Sequence, residues 1–411
     1  MLLFAILAVM APSETTDTLR LVDLDEVEVT ASVKETGLIR QQPMSATRLG
    51  SQLMASHQVT SLKGASNLAP NFFIPDYGSR LTSAIYIRGI GSRINTPAVG
   101  LYVDDIPYLD KSAFDFNFYD IERVDILRGP QGTLYGRNTM GGLVRITTRN
   151  PFCHEGTDVR LSYSTGDNRR MASLTHYHRI SDQLAFSAGG YYEGKSGFFE
   201  NQTTGEKVDG LQSGGGRIRA IYRPSERLSF DLNASYDYSD EGAYPYYYMG
   251  STTADESYPE LLDKISNNRE SRYRRSLLNV GLNIGYQGEG WQLNAITGYQ
   301  GIRDRMFMDQ DFIAADIYTL EQKQRIHTWT EEIVLKNRTE GRWQWLTGLN
   351  LMCQSLHTEA PVTFYREGLD WLAGNINNAM PDIGQIQMLQ LMGFEGMAVN
   401  FRGNELLMSG T

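Results

Sequence analysis

The sequence predicts a mainly β protein, with an N-terminal α/β domain followed by an incomplete antiparallel transmembrane β-barrel. Three observations carry this reading. Two strand-forming pieces flank a glycine-dense turn between Val124 and Pro151; polar and apolar residues alternate in runs after Pro151; and the connections between those runs are alternately short and long.

The chain opens with Leu2 to Ala11, LLFAILAVMA, an apolar run of signal-peptide length that is too short to cross a bilayer as a helix. No Lys or Arg precedes it, and Pro12 follows Ala11 directly, which makes the obvious cleavage point awkward. Val22 to Ala31, VDLDEVEVTA, then alternates acidic and β-branched residues, as a segment able to join another protein's sheet edge would. An ordinary short edge strand fits that pattern equally well.

The turn region reads VDILRGPQGTLYGRNTMGGLVRITTRNP. Val124, Ile126 and Leu127 form one strand and Leu143, Val144 and Ile146 the next, with Gly132, Gly136, Gly141 and Gly142 between them. A phosphate-binding loop is excluded, because Gly136 is followed by Arg137 and Asn138 and lacks a glycine five residues earlier. A dinucleotide fingerprint opening at Gly89 and Gly91 is excluded because Ile94 occupies the third glycine position.

After Pro151, Leu228, Phe230, Leu232, Ala234, Tyr236 and Tyr238 alternate with Ser229, Asp231, Asn233, Ser235 and Asp237. The run from Leu278 to Tyr286 repeats the pattern, and Trp291 to Tyr299 follows it. One face suits lipid and the other water, although a soluble β-sandwich would alternate as well. The connections favour the barrel. They are short near Ser181, Pro224, Gly288 and Thr339, but long over Gly194–Gly214, Ser239–Arg272 and Arg303–Gln322. Tyr222, Tyr286, Trp291, Trp343 and Trp345 all adjoin short turns, as an interfacial aromatic girdle would.

Composition narrows the function. A net charge of -10 and 38 Lys and Arg without a dense cluster argue against nucleic acid as a partner. Cys153 and Cys353 lie far apart, with no C-x-x-C pair. A mean hydropathy of -0.36 and the lack of a 20-residue apolar run exclude a helical inner-membrane transporter. His176 and His178 share a strand face and could share a metal, but a lumen-facing or interfacial pair without metal is the simpler reading. No nucleophile and base arrangement stands out; no enzyme activity and no cofactor are expected.

The 124–151 string, preceded by SAIYIRGIGSR at 83–93 and VGLYVDDIPY at 99–108 in that order, resembles the plug of TonB-dependent outer-membrane receptors, which import scarce nutrients across the bacterial outer membrane. The resemblance is close over residues 22–151 and one of pattern beyond. It implies a signal peptide at 1–11, a periplasmic segment at 12–31, a plug at 32–151 and a partial barrel at 152–411. Asp25, Glu26, Val27, Glu28, Val29, Thr30 and Ala31 resemble a TonB box, so TonB is the implied energy-coupling partner, alongside outer-membrane lipid and a small-molecule substrate.

The resemblance also implies that Arg88 and Arg128 hold the plug against an inward-facing barrel carboxylate, for which Glu332 is the candidate; Glu331 and Val334 depart from the family pattern there. Arg80, Arg93 and Asn95 in plug loops, with Tyr246 and Tyr247, are the ligand-contact candidates. The loop 240–270 carries seven acidic residues against Lys264 and Arg269, which disfavours strongly anionic ligands. The implied substrate is a ferric siderophore, another iron chelate, a vitamin or an oligosaccharide. About nine strands can be placed after the plug, near residues 158, 173, 187, 219, 232, 282, 296, 332 and 349, whereas a plugged transporter barrel needs about 22. The C-terminal LLMSGT lacks the aromatic residue usual in the family. A truncated remnant or one half of a split barrel is therefore an alternative expectation, as is a passive or signalling outer-membrane protein.

Overall fold

A computed structural model describes residue 34, residues 45–94, 96–247, 249, 264–338 and 343–371, and the backbone of 397–402 and 405–410. The N-terminal domain is built on a five-stranded sheet in the order β1-β6-β7-β4-β5. Its strands are β1 (Ser45–Gly50), β4 (Val99–Val103), β5 (Ile106–Tyr108), β6 (Ile121–Arg128) and β7 (Gly142–Thr148). A two-stranded ribbon of β2 (Phe72–Phe73) and β3 (Tyr86–Ile87) lies apart from it. Helix α1 (Ser51–Ser56) follows β1, and α2 (Leu62–Ala65) starts at Ser61, whose hydroxyl caps the Gly64 amide.

The glycine-dense turn connects β6 and β7 through the short helix α3 (Gly132–Tyr135). Gly142 opens β7 at φ +155, where a Cβ would collide with the Leu127 carbonyl, so only glycine lets the two strands close. The strands β4 and β5 are joined by a two-residue hairpin turn at Asp104 and Asp105, both at positive φ (48° and 66°). Short acidic side chains tolerate that conformation.

From Gly156 the chain forms a twelve-stranded antiparallel sheet. Nine long strands follow one another as neighbours: β8 (Gly156–Ser164), β9 (Arg169–Arg179), β10 (Leu184–Lys195), β11 (Leu211–Ser225), β12 (Leu228–Gly242), β13 (Arg272–Gln287), β14 (Trp291–Asp309), β15 (Tyr318–Asn337) and β16 (Leu346–Glu359). Each of the nine positions named from the sequence falls in one of them. The sheet is completed by β17 (Val362–Phe364), β18 (Met397–Arg402) and β19 (Glu405–Gly410).

The predicted alternation decides which face meets what. In β12 and β13 the polar set turns toward the N-terminal domain, with Asp237 and Asn279 buried, while Leu232, Tyr236 and Leu278 face outward and are exposed. The domain and this wall share one hydrophobic core: Leu277, Ile302 and Ile326 of the wall pack in the same cluster as Leu101, Ile126 and Phe114. Gly281 permits the closest approach, since a Cβ there would overlap the side chain of Ile106.

The upper strands extend beyond the sequence expectation. β14 continues to Asp309 and β15 begins at Tyr318, so the connection expected over Arg303–Gln322 shrinks to residues 310–317. The outward residues added to the ladder include Arg303, Arg305 and Glu321, which carry no apolar alternation for the eye to follow.

Candidate functional site

The inward face of the wall meets the N-terminal domain through a row of charged contacts. Arg217 on β11 donates to Asp120 at 2.6 Å, with both side chains 5% exposed. Asp104, in the β4–β5 turn, accepts from the Thr148 amide and hydroxyl at 2.9 and 2.7 Å and from Asn233 on β12 at 2.6 Å; Arg219 lies 3.7 Å away. Asn117 donates to Glu193 on β10 at 2.7 Å, and Arg275 on β13 donates to the carbonyls of Ser112 and Asp115. A buried charge that loses its partner costs several kcal/mol, about 3–5 in comparable cases, so these contacts fix orientation.

Glu332 faces inward on β15, as expected, but its partner is Lys34 at 2.6 Å. The expected pairing of Glu332 with Arg88 or Arg128 is therefore corrected. Arg128 instead braces its own domain, donating to the Pro70 carbonyl at 2.9 Å and to the hydroxyls of Ser45 and Thr47. Arg88 occupies a left-handed turn at φ 53, its amide bonded to the Asn71 carbonyl. The physical reason is reach: β1 pairs with β6 and supplies Arg128 with local acceptors, whereas Lys34 comes from the segment that precedes the domain. Its ammonium also lies over the rings of Tyr102 and Tyr135 at 4.8 and 4.6 Å. Burial holds the Lys34 pKa below the ordinary lysine value against the pull of Glu332.

Between the domain's upper loop and the wall lies an open cavity of about 600 Å³. Its lining includes Asp76, Arg80, Phe198, Phe199, Glu241 and Tyr246. Ser79 caps the single 3-10 turn that carries Arg80, by accepting from the Leu81 amide. The Arg80 amide donates to Glu241 at 2.7 Å, and its Nε lies 3.5 Å from Glu241 and 3.8 Å from Asp115. Burial opposes the charge on Arg80, but Asp115 and Glu241 outweigh it and its pKa rises above the ordinary arginine value. Its Nη1 is buried without a hydrogen-bond partner among the described residues.

Of the other ligand-contact candidates, Tyr246 and Arg93 converge on Tyr77. Tyr246 donates to the Tyr77 carbonyl at 2.7 Å and packs at a tilt against Phe312, while Tyr247 is 48% exposed. Arg93 lies over the Tyr77 ring at 4.3 Å, and Lys111 donates to its carbonyl. Asn95 and residues 25–31 lie outside the described residues. His176 and His178 face outward and stack at 6.0 Å, with Thr157 bonded to His176. Sequence reasoning missed Asp104, Asp120, Arg217 and Arg275 as interface residues, because only the tertiary pairing of domain and wall gives them partners. The polar alternation of β11–β13 was the available signal that these strands face something charged.

Residues 39–143 match the TonB-dependent Receptor Plug Domain model. The pesticin receptor of Yersinia enterocolitica is 32% identical over 154 residues, covering 36% of this chain and 23% of that protein. The iron-regulated outer membrane virulence protein of Vibrio cholerae is 23% identical over 288 residues, covering 65% of this chain and 41% of the relative. The crystal structure of the ferric yersiniabactin uptake receptor FyuA from Yersinia pestis superposes with a TM-score of 0.64 at 19% identity, covering 88% of this chain and 50% of that one. The chain thus spans half or less of each of these three proteins. A plug seated by ion pairs against an antiparallel wall with an outward apolar face defines the class: a plugged outer-membrane β-barrel protein. Residues 39–143 carry the TonB-dependent receptor plug domain, and the chain around them is similar to receptors of that kind.

Proposed function

We propose that the protein takes part in TonB-dependent active import of a scarce nutrient across the outer membrane, with a ferric siderophore or other iron chelate as the leading substrate class and a vitamin or oligosaccharide as the alternatives. The observation that supports this most is the cavity walled jointly by the plug's upper loop and the barrel, because a ligand seated there touches both parts at once. Six carboxylates against four cations line it, together with the rings of Phe198, Phe199 and Tyr246, which favours a ligand that is not strongly anionic.

Binding would bias the plug's contacts, and through Lys34 the segment that carries Asp25 to Ala31, which would then pair with TonB as an added strand. Val27→Pro removes a ladder donor from that strand. The test is uptake of a radiolabelled ferric chelate by cells producing the natural gene product. Uptake should require TonB and be lost in Val27→Pro; uptake indifferent to both would overturn the reading.

A further inference from the structure

The outward face of the wall changes character abruptly along the strands. In register across β12 to β16, the outward rows Ala234–Val280–Tyr299–Trp329–Cys353 and Phe230–Ile284–Ala295–Ile333–Leu349 are apolar or aromatic. Two rows nearer the long loops, the same face reads Tyr238–Ser276–Arg303–Arg325–His357, and the row above that Asp240–Arg274–Arg305–Lys323–Glu359. Five outward rows separate Leu228 from Tyr236 inclusive, and at about 3.3 Å per residue on strands tilted about 40° they cover roughly 20 Å. An outer-membrane barrel's apolar band is about 25 Å tall. The cationic rows therefore stand at the level of the outer leaflet's headgroups.

Like charges directly opposite one another on neighbouring strands destabilise a sheet. Here Arg303 faces Arg325, and Arg274 faces Arg305, which in turn faces Lys323. The nearby carboxylates are shared: Asp240 takes Arg272 and Arg274 at 2.5 and 3.0 Å, and Glu321 takes Arg305 and Lys323 at 2.5 and 3.0 Å. Glu270 also reaches Arg272, at 3.5 Å, and Glu359 meets His357. Arg303 and Arg325 make no ion pair among the described residues, and both are exposed. A merely solvated surface has no reason to stack guanidinium groups in register immediately above aromatic rings, in a chain whose net charge is -10.

We propose that Arg303 and Arg325, flanked by Arg274, Arg305 and Lys323, form a seat on the outer wall for the phosphorylated headgroup of a multiply acylated outer-leaflet lipid, whose chains lie along Tyr236, Leu278 and Trp329 below. The two unpaired guanidinium groups present forked donors to phosphate oxygens, and the long side chains can lean up from the apolar band to the headgroup level. The site rests on the outer-membrane placement of the chain and is independent of the transported substrate.

The test uses the natural gene product in phosphatidylethanolamine nanodiscs containing either bisphosphorylated lipid A or its dephosphorylated form, with lipids retained after delipidation counted by native mass spectrometry. The parent protein should retain the phosphorylated lipid at least tenfold over the dephosphorylated one. R303Q/R325Q should lose that preference, and R303K/R325K should keep most of it, which separates loss of charge from misfolding. Equal retention of the two lipids by the parent protein, or an undiminished preference in R303Q/R325Q, overturns the proposal. So would saturation of the same preference by millimolar inorganic phosphate, which would make the site a generic anion trap.

Discussion

Lys34 and Glu332 form a 2.6 Å ion pair between the segment that precedes the plug and the inner face of β15, with the two side chains 2% and 11% exposed. Residues 25–31 end three positions before Lys34, so any pull on that segment is applied close to this pair. Lys34→Met leaves Glu332 buried without its cation, a loss on the order of 3–5 kcal/mol where partners are this enclosed. The expected outcome is faster proteolytic cleavage of the N-terminal segment in outer membranes. Lys34→Met combined with Glu332→Leu should recover much of the protection, because removing both charges leaves neither uncompensated.

Among the described residues, Asp120 and Arg217 are the most enclosed ion pair between plug and wall, at 2.6 Å. Asp120→Ala should destabilise plug seating by about 3–5 kcal/mol, visible as a lower urea midpoint for a plug-specific probe. The doubly substituted Asp120→Ala/Arg217→Met protein should sit closer to the parent than Asp120→Ala alone. Strict additivity of the two substitutions would show that the pair does not couple the two parts.

Gly281 and Ile106 test the steric fit. A valine at position 281 would force the Ile106 side chain away from the wall and loosen the hairpin it follows. Gly281→Val should cost about 1–3 kcal/mol, in the range of overpacked cores, and Ile106→Ala should relieve part of that loss. The measurement is thermal unfolding of the single and double variants.

Asp105 gives a pH dependence. Burial, with Asp104 beside it, raises its carboxyl above the usual aspartate range despite the opposing pull of Arg145 and Lys34. The folded state therefore holds its proton more tightly than the unfolded chain, so this residue favours folding below the unfolded value of about 3.9 and that contribution is lost as pH rises through the folded value. Asp105→Asn keeps a residue that tolerates φ 66 and removes the titration. The variant should be more stable than the parent at pH 7 and should lose that advantage near pH 3. A difference in stability that stayed constant from pH 3 to pH 7 would refute this account.

The site was less legible than the fold. Arg80 and Tyr246 were named from the sequence and do line the cavity, because a polar residue in a plug loop and a tyrosine in a long connection have few other places to go. Glu332 was named as an inward-facing carboxylate through the family resemblance, yet its cation was sought in the plug strands and comes from Lys34. Nothing in the spacing of the chain places residue 34 beside residue 332.

The plug was legible through its resemblance to a family; by itself the sequence determined the nine long strands, the alternating faces of those that start near Leu228, Leu278 and Trp291, and the glycine turn. These are short-range properties: period-two alternation, β-branched composition and the φ values that only glycine or a short acid accepts. The tertiary structure decided which buried charges meet, how far β14 and β15 climb, and which outward arginines stand in register. Those depend on pairings across tens or hundreds of residues, where the partner of a charge is set by strand register and by how the plug sits against the wall.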